Sequence, residues 1–262
     1  MRFKITPPVA SPHAVERTQV LDRVAQCVGI RLVLMRASAG YGKTTTLAQL
    51  HRRLVALDVD CVWLQFDEAD NDVSRFVASV RHALVGAASR TTRRAARDES
   101  DPAEMPLAAI SRRRTPFALF IDDMEAVSSP AVLALVAGMI VRLPPQAMVV
   151  IGSRSVPELG LARLRANGQL LEIGPRQLRL SAAQTSEFIV ARRGLSLPSE
   201  QVAGLHRQTE GRHLQAVPGR RGDPAREPAG PRGCRLRLAD AATAAGAAGD
   251  RDLSPEKPES KS

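Results

Sequence analysis

Nine residues, ASAGYGKTT from Ala37 to Thr45, stand between an apolar run, RLVLMRA at 31–37, and a segment of helical spacing that opens at Lys43. A Gly-rich turn joining a buried strand to a helix is the setting a phosphate-binding loop requires. Gly40 and Gly42 let the backbone turn its N–H groups inward, and the helix start adds a positive dipole end. Lys43 then supplies a compact charge for β- and γ-phosphates, and the Thr44 hydroxyl is a magnesium ligand. Ala39, Gly40, Tyr41, Gly42, Lys43, Thr44 and Thr45 form the candidate binding set. The full pattern G-x-x-x-x-G-K-[ST] begins with Gly where this chain has Ala37, a position whose strand geometry tolerates Ala. Of 37 basic residues 33 are Arg, and Lys43 is the only Lys between Lys4 and Lys257, so the loop retains an ammonium in a chain that otherwise prefers the planar guanidinium.

Around this loop short apolar runs alternate with helix-period segments, which predicts an α/β fold with a mostly parallel sheet flanked by helices. Strands are expected at 31–37, 59–66, 117–121, 147–152 and 169–173. Helices are expected at 43–57, 72–85, 130–142, 181–193 and 199–208, the last two opening at Ser181 and Ser199 as caps. The domain reading is a lead-in with a first helix at 1–30, a nucleotide-binding domain at 31–211 and a tail at 212–262. All eight aromatic residues lie at or before Phe188, and the tail is rich in Ala, Arg, Gly and Pro. Such a segment has too few large apolar side chains to offset ordering entropy, so disorder is expected there. A polar stretch at 89–106 reads as a surface connection.

The run FALFIDDM, Phe117 to Met124, buries a strand and then presents two carboxylates at its C-terminal end, the edge where open α/β sheets bind ligands. Asp122 is the candidate magnesium ligand together with Thr44. Asp123 stands where hydrolytic relatives often carry a Glu that orients water, and its shorter side chain predicts slow hydrolysis. Arg154 leaves the end of the next strand in VVIGSR, where it is positioned to sense a γ-phosphate. The five His show neither metal spacing nor a triad pattern. Cys27, Cys61 and Cys234 are odd in number and widely spaced, which argues against a zinc site or disulfide framework and for a reducing compartment. A net charge of +10 permits contact with nucleic acid without establishing it. No apolar run is long enough to span a bilayer and the start has no signal-peptide stretch, so a cytoplasmic protein without membrane contact is expected.

With these motifs the chain resembles the ATPase domain of the large MalT-like, LuxR-type bacterial transcription activators, members of the STAND class of signal-transducing NTPases. The resemblance runs from about Lys4 to Gly211. It rests on KITPP, VERTQVLDRV, ASAGYGKTTTLAQ, VWLQFDEADNDVSRFVASVRHAL, FALFIDDMEAV, SRSVPELGLARLRANGQLLEI and TEG. It implies ATP or ADP with Mg²⁺ as cofactors, phosphate and magnesium contacts at Gly40, Gly42, Lys43, Thr44 and Thr45, and Asp122 and Asp123 at the Walker B position. It makes Arg154 the sensor and places Arg17 near the nucleotide. It further implies a switch in which ATP and an inducer favour an open, self-associating form and ADP a closed one.

Members of that family continue after TEG with Trp and an apolar helix, a winged-helix region, a helical-repeat sensor and a DNA-binding helix-turn-helix. Here RHLQAVPGRRGDPAREPAGPRG follows. The expectation is a chain without the sensor and DNA-reading modules, and hence without direct DNA binding. It is either a natural short paralogue or the product of a reading-frame change near Gly211, which the tail composition favours. The alternative function is a stand-alone P-loop ATPase or kinase-type enzyme, although no acceptor-substrate site is apparent. A DNA-binding protein acting through charge alone is disfavoured by the dispersed basic residues.

Overall fold

The computed structural model describes residues 4–9, 14–27, 29–86, 110, 115–191 and 198–209, all within one compact unit spanning 1–213. The expected polar connection at 89–106 and tail at 212–262 lie outside the described residues. Five strands, β1 (Leu32–Arg36), β2 (Asp60–Gln65), β3 (Phe117–Asp122), β4 (Ala147–Ser153) and β5 (Leu170–Ile173), pair in the order β2-β3-β4-β1-β5. All four pairings are parallel. Every residue of β3 is buried, as a strand covered on both faces must be, and this is why its sequence is an unbroken apolar run up to Asp122.

The side-chain alternation of the strands sorts the helices into two layers. Leu32, Leu34, Leu119, Ile121, Val149 and Ile151 face one core, which receives Phe76, Val80 and Leu84 of α3 (Val73–Gly86). The same core takes Val132, Val136 and Ile140 of α4 (Pro130–Val141) and Leu161 and Leu164 of α5 (Leu161–Ala166). On the opposite face Val33, Met35, Trp63, Phe120 and Val150 meet α1 (Thr18–Gln26), α2 (Lys43–Val55) and α6 (Pro175–Leu178) through Leu21, Leu47, Leu50 and Leu178. Trp63 stacks on Phe120 at 5.8 Å, and His51 of α2 stands edge-on to both rings. The sheet is thus the middle of three layers, and its two interfaces are separate cores.

Beyond β5, α7 (Ala182–Ser186) opens at Ser181 as expected. The Ser181 hydroxyl accepts from the Gln184 amide while the Gln184 side chain accepts from the Ser181 amide. The helix expected to run on to residue 193 instead widens into a π turn at Glu187–Ala191. Ser199 does not cap α8 (Ser199–Thr209): it is the first helical residue, and the Pro198 carbonyl accepts from Gln201 and Val202. The short helices α5 and α6 have no counterpart among the expected elements, because four to six residues are too few to show a period.

Candidate functional site

The strand order changes direction at β1, whose neighbours are β4 and β5 while the chain proceeds from it to β2 at the far edge. Open parallel sheets form their ligand crevice at such a point, outside the C-terminal strand ends. The loop after β1 lies there, tied to β4 by the Ala37 amide donating to the Ser153 carbonyl at 3.2 Å. Gly40 (φ 86°) and Gly42 (φ 77°) both adopt left-handed backbone, and Gly42 directly precedes α2. A side chain at either would strain the turn, so both glycines are conformationally required. Ala39 and Gly40 are exposed, whereas the Tyr41 ring is packed in the α2-side core, which leaves Tyr41 only backbone to offer a ligand.

Lys43 begins α2 and is 8% exposed. Its ammonium donates to the Ala37 carbonyl at 2.6 Å and to the Ser38 carbonyl at 3.2 Å. Burial holds its pKa below the ordinary lysine value, with Glu125 acting in the opposite direction and Arg154 reinforcing the decrease. One turn into the helix the Thr46 hydroxyl donates back to the Gly42 carbonyl, and Thr45 is half-buried.

Thr44 and Asp122, both expected at one metal site, are in contact: Thr44 Oγ1 donates to Asp122 Oδ2 at 2.7 Å. Asp122 is 1% exposed, and its other oxygen, Oδ1, is buried with no hydrogen-bond partner among the described residues. A buried carboxylate oxygen without a donor is costly, and its usual explanation is a missing ion or water. Burial pushes the Asp122 pKa up; the Thr44 hydrogen bond opposes this, and Asp123 adds to it through its charge while its backbone amide opposes it. Gly152 of β4 makes room for this carboxylate, since a Cβ there would lie 2.7 Å from Asp122 Oδ1 and 2.6 Å from Leu47 Cδ1. The hydroxyl and free carboxylate oxygen are hard donors that suit Mg²⁺, which in nucleotide sites takes one or two carboxylates plus phosphate oxygens. Among the described residues no group of three or more His, Cys, Asp or Glu is gathered to hold a metal without such a ligand.

Asp123 takes a left-handed conformation at φ 54°, and its carboxylate accepts from Gln65 Nε2 at 2.9 Å, on the β2 side of β3. The resulting tight turn at Met124–Ala126 turns the chain at the strand end, with Met124 buried as its anchor. Asn71 clamps the far side of that turn: its amide donates to the Ala126 carbonyl, and its oxygen accepts from the Ser128 and Ser129 amides at 2.8 and 2.7 Å. The turn carries Glu125, which the sequence reading did not single out. Glu125 Oε1 lies 2.7 Å from Arg154 Nε as an ion pair without hydrogen-bond geometry, and Oε2 accepts from the Arg154 amide at 3.0 Å. Nothing in the spacing of DDME reveals that the third carboxylate and not the second pairs with Arg154. The left-handed backbone at Asp123 decides it.

Arg17 is not joined to this cluster by any hydrogen bond or ion pair seen among the described residues. Its amide donates to Gln49 Oε1 of α2, and its guanidinium is buried, with Nη1 lacking a partner among those residues. Burial pushes its pKa down to about 10. Among the described residues no helix is long and apolar enough to cross a membrane.

No family model matches the chain. Among solved structures, a STAND protein with a tetratricopeptide repeat sensor from Pyrococcus horikoshii superposes with a TM-score of 0.55 at 17% identity, over 79% of this chain and 30% of that one. Weaker likenesses include Cdc6p from Pyrobaculum aerophilum, with a TM-score of 0.46 at 14% identity over 73% of this chain and 54% of that one. Another is the Aeropyrum pernix Orc1 protein in complex with DNA, with a TM-score of 0.44 at 16% identity over 70% and 50% of the respective chains. The chain therefore spans 30% of the length of the STAND protein it resembles. Identities this low speak to architecture alone: a five-stranded parallel sheet between helices, with the Gly-rich loop at the end of β1.

Proposed function

We propose that this domain binds ATP or ADP with Mg²⁺ at the loop Ala39–Thr45 and serves as a slowly hydrolysing switch in a regulator of the MalT-like, LuxR type. The observation that carries the reading is Asp122: one oxygen on the Thr44 hydroxyl, the other buried and unpartnered, beside a helix start that follows two left-handed glycines. Thr44 and Asp122 would hold the metal, which when bound supplies positive charge between phosphate oxygens. Lys43 exchanges its two loop carbonyls for phosphate oxygens. Arg154 faces the γ-phosphate and Asp123 orients water, both from the C-terminal edge of the sheet. Arg17 contributes on the α2 side. The chain works in the cytoplasm and self-associates through the same domain when the triphosphate is bound, and DNA reading belongs to modules outside it.

Calorimetric titration of the 262-residue chain with Mg-ADP and with a non-hydrolysable Mg-ATP analogue tests the site. Lys43→Ala should weaken binding by about 1.5 to 3 kcal/mol, roughly tenfold or more. Equal affinity in wild type and Lys43→Ala would show that the loop is not the nucleotide site.

A further inference from the structure

We infer that Glu125 is a built-in competitor for the sensor arginine: it occupies Arg154 in place of a γ-phosphate and so sets the preference of the site between nucleoside triphosphate and diphosphate. The inference rests on the nucleotide reading and specifies its regulation. Glu125 holds Arg154 at two points, the side chain through Oε1 at 2.7 Å and the backbone amide through Oε2 at 3.0 Å. The two points have different consequences. The amide contact fixes the loop after β4, while the ion pair consumes the charge that a third phosphate would use. Glu125 also interacts with Lys43, opposing the effect of burial on the ammonium, whereas Arg154 acts on Lys43 in the opposite sense. One carboxylate thus stands among the two cations assigned to the phosphates.

Its placement is fixed from both sides. Met124 is buried immediately before it, and Asn71 holds Ala126, Ser128 and Ser129 immediately after it. Arg154 is the more exposed partner, with its side chain 62% exposed against 19% for Glu125. The cation is therefore the group that leaves. A diphosphate does not reach for Arg154 and leaves the pair closed. A triphosphate must break it, and the energy of that exchange is subtracted from triphosphate affinity alone.

The test compares Mg-ADP with a non-hydrolysable Mg-ATP analogue in wild type, Glu125→Gln, Arg154→Ala and the double variant, by calorimetry on the full chain. Glutamine keeps an oxygen for the Arg154 amide and removes the charge. Glu125→Gln should bind the triphosphate analogue roughly three- to fivefold more tightly, the range expected of a half-exposed ion pair, and leave Mg-ADP within about twofold of wild type. In the Arg154→Ala background the same substitution should change neither. If Glu125→Gln does not fold, Glu125→Ala, which likewise removes the charge, is read the same way. An unchanged triphosphate-to-diphosphate ratio overturns the inference, as does a gain that persists in full without Arg154, since that would be simple repulsion of phosphate. If wild type binds neither nucleotide, the nucleotide reading falls and takes this inference with it; if both bind with an unaltered ratio, only the inference falls.

Discussion

In the proposed site Asp122 serves binding at the expense of the ligand-free fold. Because burial raises its pKa above the usual carboxylate value, the folded state takes up a proton more readily than the unfolded state. The sign follows from linkage: an acid whose folded pKa is raised opposes folding while it is ionised, and that opposition fades as the pH falls through the folded pKa. Metal-assisted phosphate binding needs the ionised form and has the opposite pH dependence. Mg-nucleotide affinity, measured between about pH 8 and about pH 5, should therefore begin to fall at a higher pH than an ordinary aspartate near 3.9 would give. Asp122→Asn keeps an acceptor for Thr44 and removes the buried charge. In the nucleotide-free chain near neutral pH it should melt a few degrees higher than wild type, an advantage that shrinks as wild type is protonated in acid. A lower melting temperature for Asp122→Asn at neutral pH would contradict the account of Asp122 as a ligand buried without its metal.

At the scale of elements, the site depends on how close β3 and β4 bring their last residues. Gly152 stands at that approach, where a Cβ would lie within 2.6 Å of Leu47 Cδ1 and 2.7 Å of Asp122 Oδ1. Gly152→Ala should cost about 1 to 3 kcal/mol in denaturant unfolding, as overpacking of a dense interior does, and should weaken Mg-nucleotide binding by displacing Asp122. The turn after β3 depends on Asn71 in the short helical turn Glu68–Asn71, itself pinned by Asp70, which is buried and accepts from Lys4 Nζ at 2.8 Å and from the Asp67 amide. Asn71→Ala removes the acceptor from the Ser128 and Ser129 amides. It should cost about 1 to 2 kcal/mol, with faster hydrogen exchange confined to residues 124–129; unaltered exchange there would show that the clamp is dispensable. Other elements are held by comparably local means: Arg31 Nη1 donates to the Val141 and Leu143 carbonyls and so closes the C-terminal end of α4. The five strands and the long helices were legible from sequence because their apolar runs are continuous or regularly spaced. The Glu68–Asn71 turn and its grip on residues 126–129 were not, since Asn71 lies 55 to 58 positions from its partners.

At the scale of the whole molecule, each candidate group along the C-terminal edge of the sheet is already engaged by another part of the protein. Lys43 is on the Ala37 and Ser38 carbonyls, Asp123 on Gln65, and Arg154 on Glu125. Each contact must open before Lys43 or Arg154 meets a phosphate or Asp123 meets water, and Asp123 is one methylene shorter than the residue usual at its position. Turnover should accordingly lie far below the typical enzyme value of roughly 10 per second. A steady-state phosphate-release assay decides this, and fast turnover abolished by Asp123→Asn would favour an enzyme in its own right over a switch.

The sequence by itself determined the order of the strands and long helices, the place of the Gly-rich loop at Ala39–Thr45 between β1 and α2, and the pair of residues, Thr44 and Asp122, that meet at 2.7 Å. It could do so because those features are written in neighbouring residues: a strand's apolar run, two glycines, a lysine, a carboxylate at a strand end. Only the tertiary structure decided that β1 lies between β4 and β5, that Gly152 is the space Asp122 occupies, and that Glu125 closes on Arg154. Those facts arise from the packing of segments distant in the chain and from one left-handed residue, Asp123, whose conformation its own side chain does not dictate. A carboxylate's position in the sequence states its charge, and the backbone that presents it decides which cation it meets.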